Sequence, residues 1–288
     1  MADGNSLINF GDLSKPATVL IEKVSSAVGI IFEPTQIKRK ARAESEAEKI
    51  KAVARIELKE IEHRALERFV HQETRKQENI ESIAAEAAAA LPNDAKVENL
   101  DEDWVAHFFK QCDTVSDKEM QSLWSRLLSG EATNPGTFSK RTVDFISSID
   151  KKDAALFTAF CQFVWIIEAE PHSLIYEFKN EIYSKQGINF EALHHLSAIG
   201  LISLNFSLGY SQTDLKKNEN LTYYETTTLI EFDNKSDNRI SVGNVLLTKT
   251  GQELFAVCGA VKNQEFYTYV IKKLFDQGLV LSSKYPLQ

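Results

Sequence analysis

The sequence has few of the residues that define disulfide-rich, collagen-like or low-complexity proteins. Its 288 residues include only three cysteines, six prolines and 12 glycines, a composition typical of globular proteins. Cys112, Cys161 and Cys258 lie far apart and form no CxxC pair. A sparse, odd set of cysteines is typical of reduced, buried thiols, so we expect a cytoplasmic protein without disulfides.

Long apolar runs and a signal peptide are also missing. The N-terminus, MADGNSLINFGDLSK, has neither a basic start nor an apolar run. The longest apolar run without a charge lies between Asp153 and Glu168, and it is shorter than the ~18 residues that a membrane-spanning helix needs. We therefore expect residues 151–167 to form a buried core helix, and we expect no transmembrane segment.

Catalytic motifs are absent as well. The sequence contains no GxxxxGK[ST], GxGxxG, HExxH or GxSxG pattern. His194 and His195 are adjacent, so on a helix their side chains diverge by about 100° and cannot share a ligand. The acidic run from Asp101 to Asp103 suits a helix N-terminus better than a metal site. The sequence therefore predicts a non-enzymatic protein with no cofactor and no metal site.

The charge is acidic overall, with 33 basic and 41 acidic residues and a net charge of −8. This balance disfavours general coating of nucleic acid but permits a local basic patch. One such cluster is a candidate contact to nucleic acid or to a partner: Lys38, Arg39, Lys40 and Arg42. Because Glu44, Glu46 and Glu48 follow immediately, a solvated, charged helix face is the favoured interpretation.

Two segments of the N-terminal part have helical periodicity. In residues 13–33, Leu20, Val24 and Ile31 recur at helical spacing. This amphipathic helix is expected to fold onto the rest of the protein, with membrane or partner docking as the alternative. Between Pro34 and Pro92 there is neither glycine nor proline, and strong helix formers dominate.

The long helix carries one apolar stripe that needs a partner. The stripe consists of Ile50, Ala54, Leu58, Ile61, Ala65 and Phe69. Later helices of the same chain can cover it, or a second copy can lie alongside in a coiled-coil-like contact. We favour the homo-oligomer, because Ala41, Ala43 and Ala47 permit close approach of two helices.

The middle and the end of the chain differ in periodicity. Trp124 shares a helical face with Met120, Leu123 and Leu127, and we expect all three tryptophans in one helical core. After Pro171, β-branched and aromatic residues predict strands. The order of the next elements predicts a winged-helix-like module. A helix over residues 189–199, with Phe190, Leu193 and Leu196 inward, is followed by "GLI", by paired strands and by "LTxxGxxL".

The candidate recognition helix of that module argues against DNA reading. It offers Glu191, His194 and His195 but no lysine or arginine, whereas DNA readers place basic or amide side chains there. A protein-interaction module is therefore favoured over a nucleic-acid reader.

The expected fold is mainly α with a C-terminal α+β part. It comprises an amphipathic segment over residues 1–34, a long helix over 35–92, a helical core domain over 93–168 and a winged-helix-like domain over 169–288.

Three stretches of the sequence resemble a family of uncharacterised bacterial proteins described as a domain of unknown function. They are KPATVLIEKVSSAVGIIFEPTQIKRKARAESEAEKI, DEDWVAHFFKQCDTVSDKEMQSLWSRLLSGEATNPGTFSKRT and HLSAIGLI. A weaker likeness runs to the abortive-infection alpha group, which shares a Leu-Trp helix followed by a turn. These resemblances imply a setting in bacterial defence against phage, and they imply no catalytic residues.

Three functional hypotheses follow. The favoured one is a non-enzymatic interaction protein, a sensor or effector in anti-phage defence, whose partner is another protein or a second copy. The alternatives are a winged-helix regulator that binds nucleic acid, and an effector that acts on membranes through residues 13–33.

Overall fold

The computed structural model describes residues 13–29 and 60–284. The chain divides after Ser147 into an N-terminal unit, whose described elements are helices, and a C-terminal unit that holds the described strands. A mainly helical fold with a C-terminal α+β part is thus confirmed. Within the described residues, no helix combines the length and the apolarity required to cross a bilayer.

The N-terminal unit contains five described helices and a short 3-10 turn over Val97–Asn99. The helices are α1 (Lys15–Val28), α2 (Glu60–Ala89), α3 (Glu102–Cys112), α4 (Lys118–Thr133) and α5 (Lys140–Ser148). Trp124 of α4 is fully buried, and its ring meets Phe108 of α3 edge-on with 5.1 Å between centroids. The predicted acidic start of α3 is a cap, since the Asp101 carboxylate accepts a 2.8 Å hydrogen bond from the Trp104 amide.

The amphipathic helix α1 packs against α2 and α3. Its apolar side is buried at Ala17, Leu20, Ile21 and Val24, and Lys23 Nζ donates to the Leu100 carbonyl at 2.8 Å. Residues 15–28 therefore fold onto their own unit, as the favoured interpretation predicted.

The C-terminal unit combines five described helices with nine strands. The helices are α6 (Lys151–Cys161), α7 (Glu181–Ser184), α8 (Phe190–Ala198), α9 (Lys249–Phe255) and α10 (Gln264–Asp276). The strands are β1 (Val164–Ile167), β2 (Glu170–Ser173), β3 (Ile202–Leu204), β4 (Tyr210–Leu215), β5 (Asn218–Tyr223), β6 (Thr226–Glu231), β7 (Asn238–Gly243), β8 (Val245–Leu247) and β9 (Val280–Lys284).

These strands form one larger sheet and two strand pairs. The five-stranded sheet has the order β2-β1-β5-β6-β9, while β3 pairs with β8 and β4 with β7. Every pairing between these strands is antiparallel. No parallel pair of these strands, and no strand before Val164, occurs in residues 13–29 and 60–284.

The predicted helix over residues 151–167 is wrong in its second half. Helix α6 begins with a capping box of Asp150 and Asp153 but ends at Cys161. Val164–Ile167 then forms β1, which lies between β2 and β5. Valine, isoleucine and tryptophan suit a strand, and a short apolar run has no periodicity to distinguish the two structures.

The sequence places a domain boundary between residues 168 and 169, and the chain divides by its internal contacts after Ser147. Helix α6 packs against α8 and leads directly into β1, so it lies in the C-terminal unit. The expectation of one core for all three tryptophans is wrong for the same reason. Trp165 stacks on Tyr223 at 4.8 Å within the C-terminal unit, whereas Trp104 and Trp124 lie in the N-terminal unit.

The two sequence signals "GLI" and "LTxxG" meet where β3 pairs with β8. Thr248 caps α9 and its hydroxyl donates to the Gly200 carbonyl at 2.7 Å. A Cβ on Gly251 would lie 2.2 Å from the Leu201 carbonyl oxygen, which is closer than non-bonded atoms approach. Glycine at position 251 therefore permits helix α9 to rest directly on the chain that enters β3.

Candidate interaction surface

Helix α2 is covered along only part of its length. From Glu60 to Glu78 no described side chain is buried, whereas from Asn79 onward most positions are buried. We call residues 60–78 the open half and residues 79–89 the covered half of α2. The difference separates a candidate surface from a core element within one helix.

The covered half packs against α4 and α1. Ile83 and Ala87 are completely inaccessible, and the Ser125 hydroxyl of α4 donates to the Ile83 carbonyl at 3.2 Å. Small side chains such as Ala84 and Ala88 allow the helices to approach closely, as the smooth alanine-rich sequence of this segment suggests.

A buried polar network fixes the register of α2 on α4. The Gln121 side chain donates to Asn79 Oδ1 at 3.0 Å and to the Val115 carbonyl at 2.8 Å. Its Oε1 accepts from the Ser82 hydroxyl at 3.0 Å and from Lys118 Nζ at 2.9 Å. Because a slip of either helix would break several of these bonds at once, the network anchors the start of the covered half.

The open half leaves large apolar side chains in solvent. Ile61 is 65% exposed and Phe69 is 59% exposed, while Leu66 and Val70 are half-buried. Phe69 precedes the buried Ile80 by eleven residues, which is about three helical turns. The exposed residues therefore lie on the same face that is buried further along the helix.

Charged side chains lie on this face as well as beside it, and they pair locally. Arg64 Nη1 lies 2.8 Å from Glu60 Oε1, and Lys76 Nζ lies 3.0 Å from Glu73 Oε1. The neighbouring carboxylates raise the pKa of Lys76 above its ordinary value. Such exposed pairs contribute little to stability, so they do not replace an apolar partner.

The basic cluster predicted as a contact site lies outside the described residues. Lys38, Arg39, Lys40 and Arg42 all lie between residues 30 and 59, which the structure does not describe. Their role stays a prediction.

Two histidine–aspartate pairs connect helices without forming a catalytic constellation. His107 Nε2 lies 2.7 Å from Asp144 Oδ1, between α3 and α5, and His195 Nε2 lies 2.7 Å from Asp153 Oδ1, between α8 and α6. The hydrogen-bond partners described for both imidazoles are carboxylates. Across residues 13–29 and 60–284, no group of three or more His, Cys, Asp or Glu side chains could hold a metal ion.

The three cysteines are free and buried, as predicted. Burial raises the pKa of the Cys112 and Cys161 thiols well above their ordinary value. Both thiols are therefore protonated at neutral pH, which makes them poor nucleophiles and poor metal ligands.

A second exposed apolar cluster lies on the C-terminal unit. The ring of Phe190 is 4.2 Å from His194 and 5.7 Å from Phe178, and Phe178 lies 5.0 Å from Phe206. Leu208 follows in the next turn and is 90% exposed. Sequence reasoning missed this cluster, because residues before and after α8 supply half of it.

The predicted inward position of Phe190 is consequently wrong. Leu193 and Leu196 are fully buried, as expected, but Phe190 is 51% exposed. Asn189 caps α8, so Phe190 is the first helical residue, and its ring leans on the neighbouring aromatic side chains instead of entering the core.

A groove of about 510 Å³ lies between α7 and α10. Its lining residues are Asn180, Glu181, Ile182, Lys185, Glu265, Thr268, Tyr269 and Lys272. Lys185 Nζ reaches Glu265 Oε1 at 3.5 Å, so opposite charges from the two helices face each other. This balanced lining does not select a ligand of either charge.

The block MQSLWSRLLSGEATNPGTFSKRT, residues 120–142, carries the family resemblance most specifically, and it has a structural role. The buried Glu131 carboxylate accepts hydrogen bonds from the Gly136 amide at 2.6 Å and the Phe138 amide at 2.8 Å. The Trp104 indole donates to the Phe138 carbonyl at 2.8 Å. The block therefore encodes a turn that is held from inside by a carboxylate, and not a reactive site.

Of the comparisons with known proteins, one gives a match. No curated protein and no solved structure gives a significant match to the chain. The family described as "Protein of unknown function (DUF2806)" matches residues 63–271, which include most of the open half of α2 and extend into the C-terminal unit. Because this match spans well over half of the chain, the protein belongs to that family.

Proposed function

We propose that the protein is a cytoplasmic, non-enzymatic interaction protein that assembles with a second copy of itself through the open half of α2. One observation carries the proposal. Ile61 and Phe69 lie on the side of α2 that the chain covers from Asn79 onward, yet both are exposed, and the polar run of residues 71–78 separates them from the covered half.

Physical arguments support a partner for this face. The open half extends for about 28 Å at 1.5 Å per residue, and helices without a packed face are marginal in water. Complete burial of an isoleucine or phenylalanine side chain contributes about 1.5–3 kcal/mol. Covering Phe69 would therefore stabilise both the helix and the assembly.

Light scattering of the full chain tests the proposal. At tens of micromolar we expect about twice the chain mass of 32.5 kDa, and we expect Phe69→Glu to return the mass to that of one chain. Phe275→Glu is the matched control, because Phe275 is also a highly exposed phenylalanine on a helix, in the C-terminal unit. A wild-type monomer, or an unchanged mass for Phe69→Glu, would refute the proposal.

For the C-terminal unit we propose a winged-helix-like module that contacts protein. Support comes from the order α8, β3, β8 and α9 and from the aromatic side chains around Phe190. A nucleic-acid regulator is the second candidate, although α8 carries no lysine or arginine and His195 is engaged with Asp153. A mobility-shift assay with duplex DNA separates the two: we expect no shift at 50 mM or 150 mM salt, whereas a salt-dependent shift would favour the regulator.

The membrane hypothesis has less support. The apolar side chains of α1 are buried within the N-terminal unit, so docking on lipid would require the helix to leave its core. We expect the protein to stay at the bottom of a flotation gradient with anionic vesicles, and co-flotation would restore this hypothesis.

As the biological setting we propose bacterial defence against phage, with the protein as a sensor or effector. The support is the likeness to the abortive-infection alpha group at the Leu-Trp helix, here α4, and the following turn. Plating a phage panel on cells with and without the protein tests this setting. At least a tenfold loss of plaques for one phage is expected, and it should be relieved by Phe69→Glu; equal plating throughout would remove the defence role.

A further inference from the structure

The open half of α2 has an acidic end and a basic end. Residues 60–67 contain three acidic side chains and one basic side chain, and residues 68–78 contain three basic and two acidic ones. The acidic end holds Glu60, Glu62 and Glu67 with Arg64, and the basic end holds Arg68, Arg75 and Lys76 with Glu73 and Glu78. The change of sign falls between Glu67 and Arg68.

This asymmetry distinguishes the two ways in which two copies of α2 can lie side by side. A parallel pair places acidic end on acidic end and basic end on basic end, and like charges at short distance repel. An antiparallel pair places the acidic end of each copy beside the basic end of the other. Electrostatic complementarity of this kind sets orientation and register more than affinity.

The apolar side chains suit the same arrangement. If the two-fold axis passes near Glu67, then Ala65 of one copy faces Phe69 of the other, and the small methyl group leaves room for the ring. Two-fold symmetry repeats this contact on the other side of the axis. Ile61 then faces the position of Glu73, beyond the apolar centre of the contact.

The helices that cover residues 79–89 give a steric reason for an antiparallel pair. The face that is open over residues 60–78 is covered by α1 and α4 further along the helix. In a parallel pair, the N-terminal units of both copies would lie at the same end of the paired helices. At that end α1 and α4 already occupy this face of α2. An antiparallel partner keeps the two N-terminal units at opposite ends of the paired segment.

We infer that two copies of the chain pair antiparallel through the open half of α2, with a two-fold axis near Glu67. This inference rests on the proposed function, because it specifies how the same surface is used. It carries the additional claim that orientation follows from the charge asymmetry of residues 60–78.

Cysteine cross-linking with a short bis-maleimide tests the orientation. Ile61→Cys and Glu73→Cys are made as separate full-length proteins, and both positions are exposed. In an antiparallel pair, position 61 faces position 73, whereas two copies of position 61 are separated by twelve residues, about 18 Å along the helices. Wild-type protein is the control, because its three cysteines are buried.

We expect little cross-linked dimer with either variant alone and several-fold more in an equimolar mixture of the two. Cross-linking of each variant with itself, without an increase in the mixture, would establish a parallel pair and overturn the inference. A dimer mass by light scattering without cross-links in any sample would overturn it as well, since the register would then be wrong. A monomer mass for the wild type would instead refute the proposed function.

Discussion

The two halves of helix α2 have the same helical periodicity but opposite surroundings. The covered half lies beneath α1 and α4, and its apolar side chains are inaccessible at Ile83 and Ala87. The open half presents Ile61 and Phe69 to solvent on the same face. The comparison teaches that periodicity identifies an apolar face, while the elements that happen to reach that face decide whether it is core or surface.

Loosening the packing of α4, the helix that covers the end of α2, should have the largest effect. Trp124 of α4 is fully buried and packs against Phe108. We expect Trp124→Ala to lower the free energy of unfolding of the N-terminal unit by about 3–5 kcal/mol, the range for truncation of a large buried aromatic. Urea denaturation followed by far-UV circular dichroism measures it.

Phe69→Ala is the matched control for Trp124→Ala, because it also truncates an aromatic side chain. Since Phe69 is mostly exposed, we expect a change within about 0.5 kcal/mol at concentrations where the chain is monomeric. Equal losses for the two variants would show that the open half is as much a part of the core as α4.

An isoleucine pair makes the same comparison within α2 itself. Ile83 is inaccessible and Ile61 is mostly exposed. We expect Ile83→Ala to cost about 2–5 kcal/mol, because it leaves a cavity, and Ile61→Ala to cost less than about 0.5 kcal/mol. Thermal melts at low micromolar concentration decide the difference. If Ile61→Ala destabilises the monomer as strongly as Ile83→Ala, something within the chain covers the open half.

Much of the fold follows from the sequence because its signals are local. The caps at Asp101 and Asp150, the buried face around Trp124 and the β-branched and aromatic composition of the strands after Pro171 each depend on residues close in the chain. The end of α6 could not be predicted from the sequence, because β1 pairs with β5 at Leu221 and Thr222, which lie far along the chain. Because β1 pairs with β5, Trp165 lies in the C-terminal unit, which begins at Ser148.

The candidate surface could be predicted only in part. The spacing of Ile61, Ala65 and Phe69 identifies the stripe, but the sequence did not indicate that the cover from α1 and α4 begins only near Asn79. That limit depends on where Gln121 and Asn79 meet across two helices. The aromatic cluster on the C-terminal unit could not be predicted for a similar reason, because Phe178 and Phe206 flank α8 in sequence without belonging to it.

Breaking the polar network that starts the covered half should have an intermediate effect. Gln121→Ala removes the partner of Asn79 Oδ1 and of the Val115 carbonyl. Because buried polar groups left without partners are costly, we expect a loss of about 1–3 kcal/mol in unfolding free energy. Gln72→Ala, an exposed glutamine of the open half, should be neutral in the same denaturation experiment. A neutral Gln121→Ala would mean that water replaces the network without loss.

The smallest expected effect concerns the helix of the open half itself. Glu60 and Arg64 form an i,i+4 pair at 2.8 Å, with both side chains largely exposed. Arg64→Ala removes an interaction worth about 0.2–0.5 kcal/mol in an isolated helix, so amide hydrogen exchange over residues 60–70 should accelerate by about 1.5- to 2-fold. Exchange over residues 79–89 should not change, because opening there requires loss of the core. In the wild-type monomer, slower exchange is expected in the covered half than in the open half, and equal protection of the two would contradict the division of α2 on which the proposed assembly depends.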